Sequence, residues 1–282
     1  MKCAVFIFLL LTGFGLADTK VLKDIEFAVV DGHSLKLDLY LPKQEQNLRL
    51  IMWIHGGGWQ AGDKSRCYIS EITKYGFAVA SISYRLTDKA IFPAQIHDCK
   101  GALRWLRANS AKYGYKADKV GVCGASAGGM LAALMGTSGD VTELEGTTGG
   151  NSESSSRVDA VVDFFGATDF VLRGQNQPSR ANKEGSVCYK LFGGPANKKT
   201  ALAKMASAVT YVSSDDPPFL VIHGDKDNKV LLDQSLRIQE EYKKANLSLE
   251  LMLIKDGGHG GSIYFKDEIL KKMANFFKDK LK

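Results

Sequence analysis

Cysteine is scarce in this 282-residue sequence. The five present, Cys3, Cys67, Cys99, Cys123 and Cys188, are too thinly spread for a disulfide scaffold. Also missing are H-E-x-x-H, a paired-cysteine zinc spacing and a phosphate-binding P-loop, and the Gly128-Gly129 pair leads into no dinucleotide fingerprint. The sequence therefore predicts neither a metal nor a nucleotide cofactor. Dense charge is lacking too. The formal net charge is +6, yet the basic residues are scattered, with nothing denser than pairs such as Lys198-Lys199 and Lys271-Lys272. A solvated surface accounts for that distribution, and no nucleic-acid partner is expected. No apolar run is long enough for a comfortable membrane span, so no stable membrane insertion is expected either. There is no internal repeat.

What is present is ordinary globular material: 45% hydrophobic and 24% charged residues, enough for one α/β domain with a large core. At the N-terminus, Lys2 precedes the apolar run Ala4 to Leu11, and Gly15-Leu16-Ala17 offers small residues for cleavage. This pattern predicts a signal peptide over residues 1–17, one domain over 18–282 and export, an uncleaved anchor being the alternative. Cys3 leaves with the signal. The four remaining cysteines permit a disulfide in an oxidising compartment, while Cys123, inside an apolar strand, reads as a buried thiol.

The stretch that organises the chain is Val120-Gly121-Val122-Cys123-Gly124-Ala125-Ser126-Ala127-Gly128-Gly129. A short apolar strand runs into Gly-Ala-Ser-Ala-Gly and then into the helical run Met130 to Met135. That is the context a G-x-S-x-G nucleophile elbow needs: a strained serine raised above the sheet, with small neighbours that avoid a clash. A Gly/Ser-rich turn with no chemistry is the plain alternative, so the rest of the chain must decide.

Strands and helices alternate around it. Val21 to Val30 and Leu35 to Leu41 flank the turn signal Asp31-Gly32. Leu48 to Ile54 is more continuously apolar, as a deep strand should be, and runs into His55-Gly56-Gly57-Gly58-Trp59. A short helix over Ile69 to Tyr75, closed by Gly76, precedes the strand Phe77 to Tyr84. Pro93 opens a long helix to about Ser110. Gly136 to Arg157 reads as an exposed loop, and Asp159 to Phe165 as a strand. Residues 166–218 form a long irregular stretch with helical pieces near Cys188–Phe192 and Thr200–Val209, a length typical of a lid or binding loop. Next come the strand Phe219 to Ile222, the helix Leu231 to Lys244 and the strand Ser248 to Ile254. Phe265, Ile269, Met273 and Phe277 mark a final amphipathic helix. This order predicts a mostly parallel sheet of about eight strands with helices on both faces.

A serine hydroxyl needs a base to attack, and the base needs an orienting carboxylate. In this topology they follow as serine, acid, histidine. Of the two histidines after Ser126, His223 comes too early, whereas His259 sits in the flexible loop Gly257-Gly258-His259-Gly260-Gly261. The acid belongs on the loop after Phe219–Ile222, where Asp225 and Asp227 both qualify. Asp227 is preferred, leaving Asp225 to hold the turn through backbone N–H groups. The N–H groups of Gly57, Gly58 and Ala127 are the candidate oxyanion donors. His55 reads as a structural pin for the glycine loop. Trp59 reads equally as an acyl-pocket wall or as packing, and His33 and His97 as surface or cap residues.

Four motifs in order, His-Gly-Gly-Gly-Trp at 55–59, Gly-Ala-Ser-Ala-Gly-Gly at 124–129, His-Gly-Asp-Lys-Asp at 223–227 and Gly-Gly-His-Gly-Gly at 257–261, together resemble an α/β-hydrolase. The resemblance is closest to the hormone-sensitive-lipase-like esterases, in their compact bacterial feruloyl/acetyl esterase-like branch, BD-FAE. Gly62-Asp63-Lys64-Ser65, Phe92-Pro93-Ala94-Gln95 leading to Asp98 and Trp105-Leu106-Arg107, Asp215-Asp216-Pro217-Pro218 and the loop at Glu145-Gly146 resemble that branch as well. The likeness covers about residues 20–280. It implies an exported serine carboxylesterase with Ser126, Asp227 and His259 as its triad, acting without cofactor on short-acyl or aromatic-acyl esters such as acetyl or feruloyl groups on polysaccharide. Two departures stand out. Asn228-Lys229-Val230-Leu231 replaces the proline-containing turn the family often places after its acid, and there is no room for a large N-terminal cap. The latter implies an open, short-acyl site. Arylformamidase-type amidases and prolyl-oligopeptidase-type domains share similar elbows, though this length leaves no room for a propeller. A catalytically dead binding module would usually lack a triad member, and none is missing.

Overall fold

The computed structural model describes residues 19–43 and 47–282. The signal-peptide reading of residues 1–17 lies outside them. Eight strands form one sheet: β1 (Thr19–Val30), β2 (His33–Pro42), β3 (Leu48–Ile54), β4 (Phe77–Ile82), β5 (Tyr115–Ala125), β6 (Ala160–Phe164), β7 (Phe219–Gly224) and β8 (Leu249–Ile254). Their spatial order is β1-β2-β4-β3-β5-β6-β7-β8. The β1–β2 hairpin turns at Asp31-Gly32 and joins β4 antiparallel, while every pairing from β4 onward is parallel.

Alternation along β3 shows how the sheet is covered. Leu50, Met52 and Ile54 enter one apolar core and Ile51 and Trp53 the other, all of them fully buried, because successive strand side chains point to opposite faces. The first core is shared with α1 (Ala94–Ala108) and, after the single turn α2 (Ser110–Tyr113), with α3 (Ala127–Thr137), whose residues are buried all round. Residues 166–218 are not irregular throughout. They carry α4 (Phe170–Asn176), α5 (Pro178–Ala181), α6 (Val187–Phe192) and α7 (Thr200–Met205). At four to seven residues each, α4 and α5 are too short to leave a readable 3.6-residue period. Asp169 caps α4 by accepting the N–H groups of Val171 and Leu172, both at 2.9 Å. α8 (Asp233–Lys244) packs on the first core and α9 (Asp267–Lys280) on the second, through Ile269, Met273 and Phe277. Phe265 stands outside α9, in a 3-10 turn, with its ring centroid 6.0 Å from that of Trp53.

Two sequence expectations change. β5 begins at Tyr115, ahead of the apolar run at Val120, with a register shift against Arg49/Leu50. The Gly136–Arg157 segment is strapped down rather than simply exposed. Glu145 accepts from buried Lys100 (2.5 Å), Arg104 (2.9 Å) and Ser156 (2.8 and 2.7 Å), and Leu144 is fully buried. Cys67, Cys99, Cys123 and Cys188 are all free thiols, and Cys123 is fully buried in β5, as its apolar surroundings predict. Among the described residues no helix is long and apolar enough to cross a membrane.

Candidate active site

The elbow forms where β5 meets α3. Ser126 holds φ 56° and ψ −112°, a conformation that an L-residue adopts only under constraint. Its N–H donates to Phe164 O at 2.8 Å, and its carbonyl accepts from Met130 N–H at 2.9 Å. A Cβ at Gly124 would lie 2.2 Å from Gly128 O, and one at Gly128 would lie 2.0 Å from Ile54 O. Only hydrogen fits at either position.

Parallel strands deliver the partners to the same edge of the sheet. The loop after β8 brings His259, whose Nε2 lies 2.7 Å from Ser126 Oγ. The loop after β7 brings Asp227, whose Oδ2 lies 2.6 Å from His259 Nδ1. In such an array the imidazole can take a hydroxyl proton while the carboxylate steadies the charge that forms. Burial opposes ionisation of Asp227, but hydrogen bonds from His223, His259 and Val230 N–H outweigh it and hold the carboxyl well below the ordinary range.

Asp227 also closes its own turn. Its Oδ1 accepts Lys229 N–H at 2.8 Å and Val230 N–H at 3.0 Å, an Asx-type closure that takes the place of a proline turn. Asp225 is exposed and has no such role. The turn-holding function expected of Asp225 belongs to Asp227, because the carboxylate that points inward from the loop is the one facing those N–H groups. His223 is fully buried, with Nδ1 2.6 Å from Ser235 Oγ and Nε2 3.0 Å from Val230 O and 3.3 Å from Asp227 Oδ2. It buttresses the acid loop.

The glycine run after β3 leans on the elbow. A Cβ at Gly56 would lie 3.5 Å from Ser126 Cβ, and Gly57, Gly58 and Ala127 line the cleft beside the serine. Gly57 has φ 126°, and a Cβ there would strike Ala61 O at 1.9 Å. His55 is the pin expected of it. Its Nδ1 lies 2.8 Å from Gly56 O, its ring stacks on Tyr84 at 4.4 Å, and burial pushes its pKa down to about 4, so the ring stays neutral. Trp59 lines the cleft and packs on Phe170 at 5.8 Å. His97 and His33 are half-buried, and a His97 ring nitrogen lies 3.0 Å from Glu143 O, away from the site.

The cleft has a volume of about 800 Å³. Sequence reasoning missed three of its features. Phe165 packs edge-on against the His259 ring at 4.9 Å. Tyr264 OH donates to Gly258 O at 2.5 Å, fixing the histidine loop. Arg173 reaches the cleft from α4. The cap-then-apolar pattern Asp169-Phe170-Val171-Leu172 was the one available signal for that helix. Among the described residues no group of His, Cys, Asp and Glu is arranged to hold a metal ion.

The chain is similar in sequence and fold to known proteins. The BD-FAE family profile matches residues 37–242. Esterase LipC of Mycobacterium tuberculosis is 29% identical over 215 residues, which is 75% of this chain and 52% of that protein. The probable carboxylic ester hydrolase LipM of the same organism is 30% identical over 206 residues, 70% of this chain and 45% of that protein. The chain thus spans about half the length of these relatives. Among solved structures, a truncated form of a carbohydrate esterase from gut microbiota superimposes with a TM-score of 0.85 and 31% identity, over 94% of this chain and 97% of that one. An acetyl ester-xyloside bifunctional hydrolase from Caldicellulosiruptor lactoaceticus follows with a TM-score of 0.71 and 25% identity, over 88% of each chain. With the family match running from β2 to α8 on a sheet of this topology, the chain belongs to the BD-FAE family and has the α/β-hydrolase fold.

Proposed function

We propose that the protein is an exported serine carboxylesterase that cleaves short-acyl or aromatic-acyl esters, among them acetyl or feruloyl groups on polysaccharide. The observation that carries the reading is the unbroken chain Ser126 Oγ, His259, Asp227, at 2.7 and 2.6 Å. Ser126 Oγ bonds to the ester carbonyl as its proton passes to His259 Nε2. The Gly57, Gly58 and Ala127 amides receive the oxyanion, preorganised where charge develops. The carbon–oxygen bond to the alcohol then breaks, and His259 returns the proton to the leaving oxygen. Water repeats the sequence on the acyl-enzyme, releasing the acid and restoring Ser126. The relatives' names support ester chemistry, and those of the two solved structures support a carbohydrate-linked substrate. The N-terminal pattern of residues 1–17 supports export.

The experiment is titration with a phosphonylating serine reagent alongside matched aryl esters and amides. One equivalent of label on Ser126, with esters turned over far faster than amides, is the expected result. Ser126→Ala should take no label and lose roughly 10⁶ in kcat. Stoichiometric labelling at another residue, or amides outrunning esters, overturns the reading. Export is checked separately: the secreted chain should begin at Asp18.

A further inference from the structure

Among the described residues, four cations and no carboxylate line the cleft around Ser126: Arg66, Arg173, Arg180 and Lys229 face it, and no Asp or Glu does. Arg66, Arg180 and Lys229 are exposed. Arg173 is different. It is 3% exposed, its Nη2 donates to Lys229 O at 2.8 Å, and its buried Nε and Nη1 meet no oxygen or nitrogen acceptor among the described residues. No carboxylate among the described residues pairs with it. Its neighbour Cys188 is a fully buried thiol, which burial pushes up in pKa against the charge of Arg173, a weak hydrogen bond from it and the charge of Arg180. A buried guanidinium without a counter-charge, its remaining donors facing at most a weakly accepting thiol, is a costly arrangement for a fold to keep. A guanidinium fork is also the side chain best matched to a carboxylate.

The helix brings this fork to the cleft that Ser126 lines. Arg173 follows Phe170 by three residues on α4, hence on the same face, and Phe170 packs against the cleft-lining Trp59. On the other flank, Val187 of α6 stands 2.8 Å from where a Cβ of Gly58 would be. The short helices of residues 166–218 therefore hold the cationic group against the glycine loop.

We propose that the natural ester carries a carboxylate, which Arg173 binds with its remaining donors while Arg180 and Lys229 steer it into the cleft. This rests on the esterase reading and narrows its substrate class. The carboxylate can reside on the alcohol side, as in an acidic sugar, or on the acyl side, as in a dicarboxylic half-ester. The shared chemistry is an anion held away from the scissile bond.

The test uses two matched pairs: 4-acetoxybenzoate against 4-acetoxybenzamide for the alcohol side, and phenyl hydrogen adipate against phenyl adipamate for the acyl side. In at least one pair, kcat/KM should be about 10- to 100-fold higher for the anion, the scale of a hydrogen bond to a charged group. Added salt should shrink the part owed to exposed Arg180 and Lys229. Arg173→Gln should lose at least tenfold more on the anionic than on the neutral member. The double variant Arg180→Gln/Lys229→Gln, which alters only exposed side chains, should narrow the same ratio and remains informative if Arg173→Gln folds poorly. Anion and amide turned over within about twofold in both pairs overturns the proposal. So does an equal loss on both members in Arg173→Gln, which would reduce Arg173 to a brace for the Lys229 carbonyl. Calorimetric titration of Ser126→Ala with the same four compounds separates the two readings. If no ester is hydrolysed yet the anions still bind more tightly than the amides, the esterase reading fails and the anion site stands.

Discussion

Asp227 engages His259 with one carboxylate oxygen, at 2.6 Å, and spends the other on closing its own loop. One residue thus orients the ring and fixes the turn that aims it. Asp227→Asn should therefore lose on the order of 10⁴ in kcat, as when a triad acid becomes an amide, and should lower the melting temperature as well. Asp225→Asn should change neither appreciably, because its side chain is exposed. Steady-state kinetics near pH 8 and thermal melts on both variants check this. An active Asp227→Asn beside an inactive Asp225→Asn reverses the assignment.

The elbow is sterically closed around Gly128, where a Cβ would come within 2.0 Å of Ile54 O. That neighbour is backbone at the end of β3, so something must shift. Gly128→Ala should cost about 1–3 kcal/mol or more and displace the His55–Gly58 run. Gly258 has open space around its Cβ direction, so Gly258→Ala should stay within about 0.5 kcal/mol. Denaturant unfolding of the pair reads the contrast, and equal stabilities would refute the steric account.

Among the described residues Glu145 is the one carboxylate that pairs with fully buried Lys100 and with Arg104. Glu145→Ala should destabilise the fold by about 3–5 kcal/mol, because it leaves a buried ammonium without its counter-charge. It should also free the segment around Leu144, visible as faster amide exchange there. A variant as stable as the parent would show that Ser138 O, which accepts from Lys100 at 2.6 Å, suffices alone.

Asp163 lies fully buried behind the elbow, and burial pushes its carboxyl up to about 6, against the Gly166 N–H bond and the nearby His223 ring. Since the unfolded value is 3.8, the folded chain keeps a proton between these pH values that the unfolded chain has released. Stability from this group is therefore greatest below about pH 4 and falls as pH rises through about 6, by at most about 3 kcal/mol. Asp163→Asn keeps an oxygen for Gly166 N–H but removes the charge. Its melting temperature relative to the parent should be higher at pH 8 than at pH 4.5. A difference that does not vary with pH would sink this account.

The sequence by itself determined the strand and helix order, the elbow and the histidine loop, because those signals are local. Period-2 and period-3.6 patterns mark the faces of elements, and glycine marks the places where no Cβ fits, as at Gly124 and Gly128. It also narrowed the acid to two carboxylates two residues apart and preferred Asp227. Only the tertiary structure shows which of them faces His259, since that depends on where Lys229, Val230 and His259 lie in space. The same holds for the residues that no motif announced. Arg173 sits on a helix of seven residues, too short to show a period, and its charge matters only because folding buries it against a cleft lined, among the described residues, by no carboxylate. Glu145 reads as one more loop charge until Lys100 and Arg104, more than forty residues earlier, close on it. Burial and pairing are properties of contacts between distant segments, and those contacts exist only once the chain has folded.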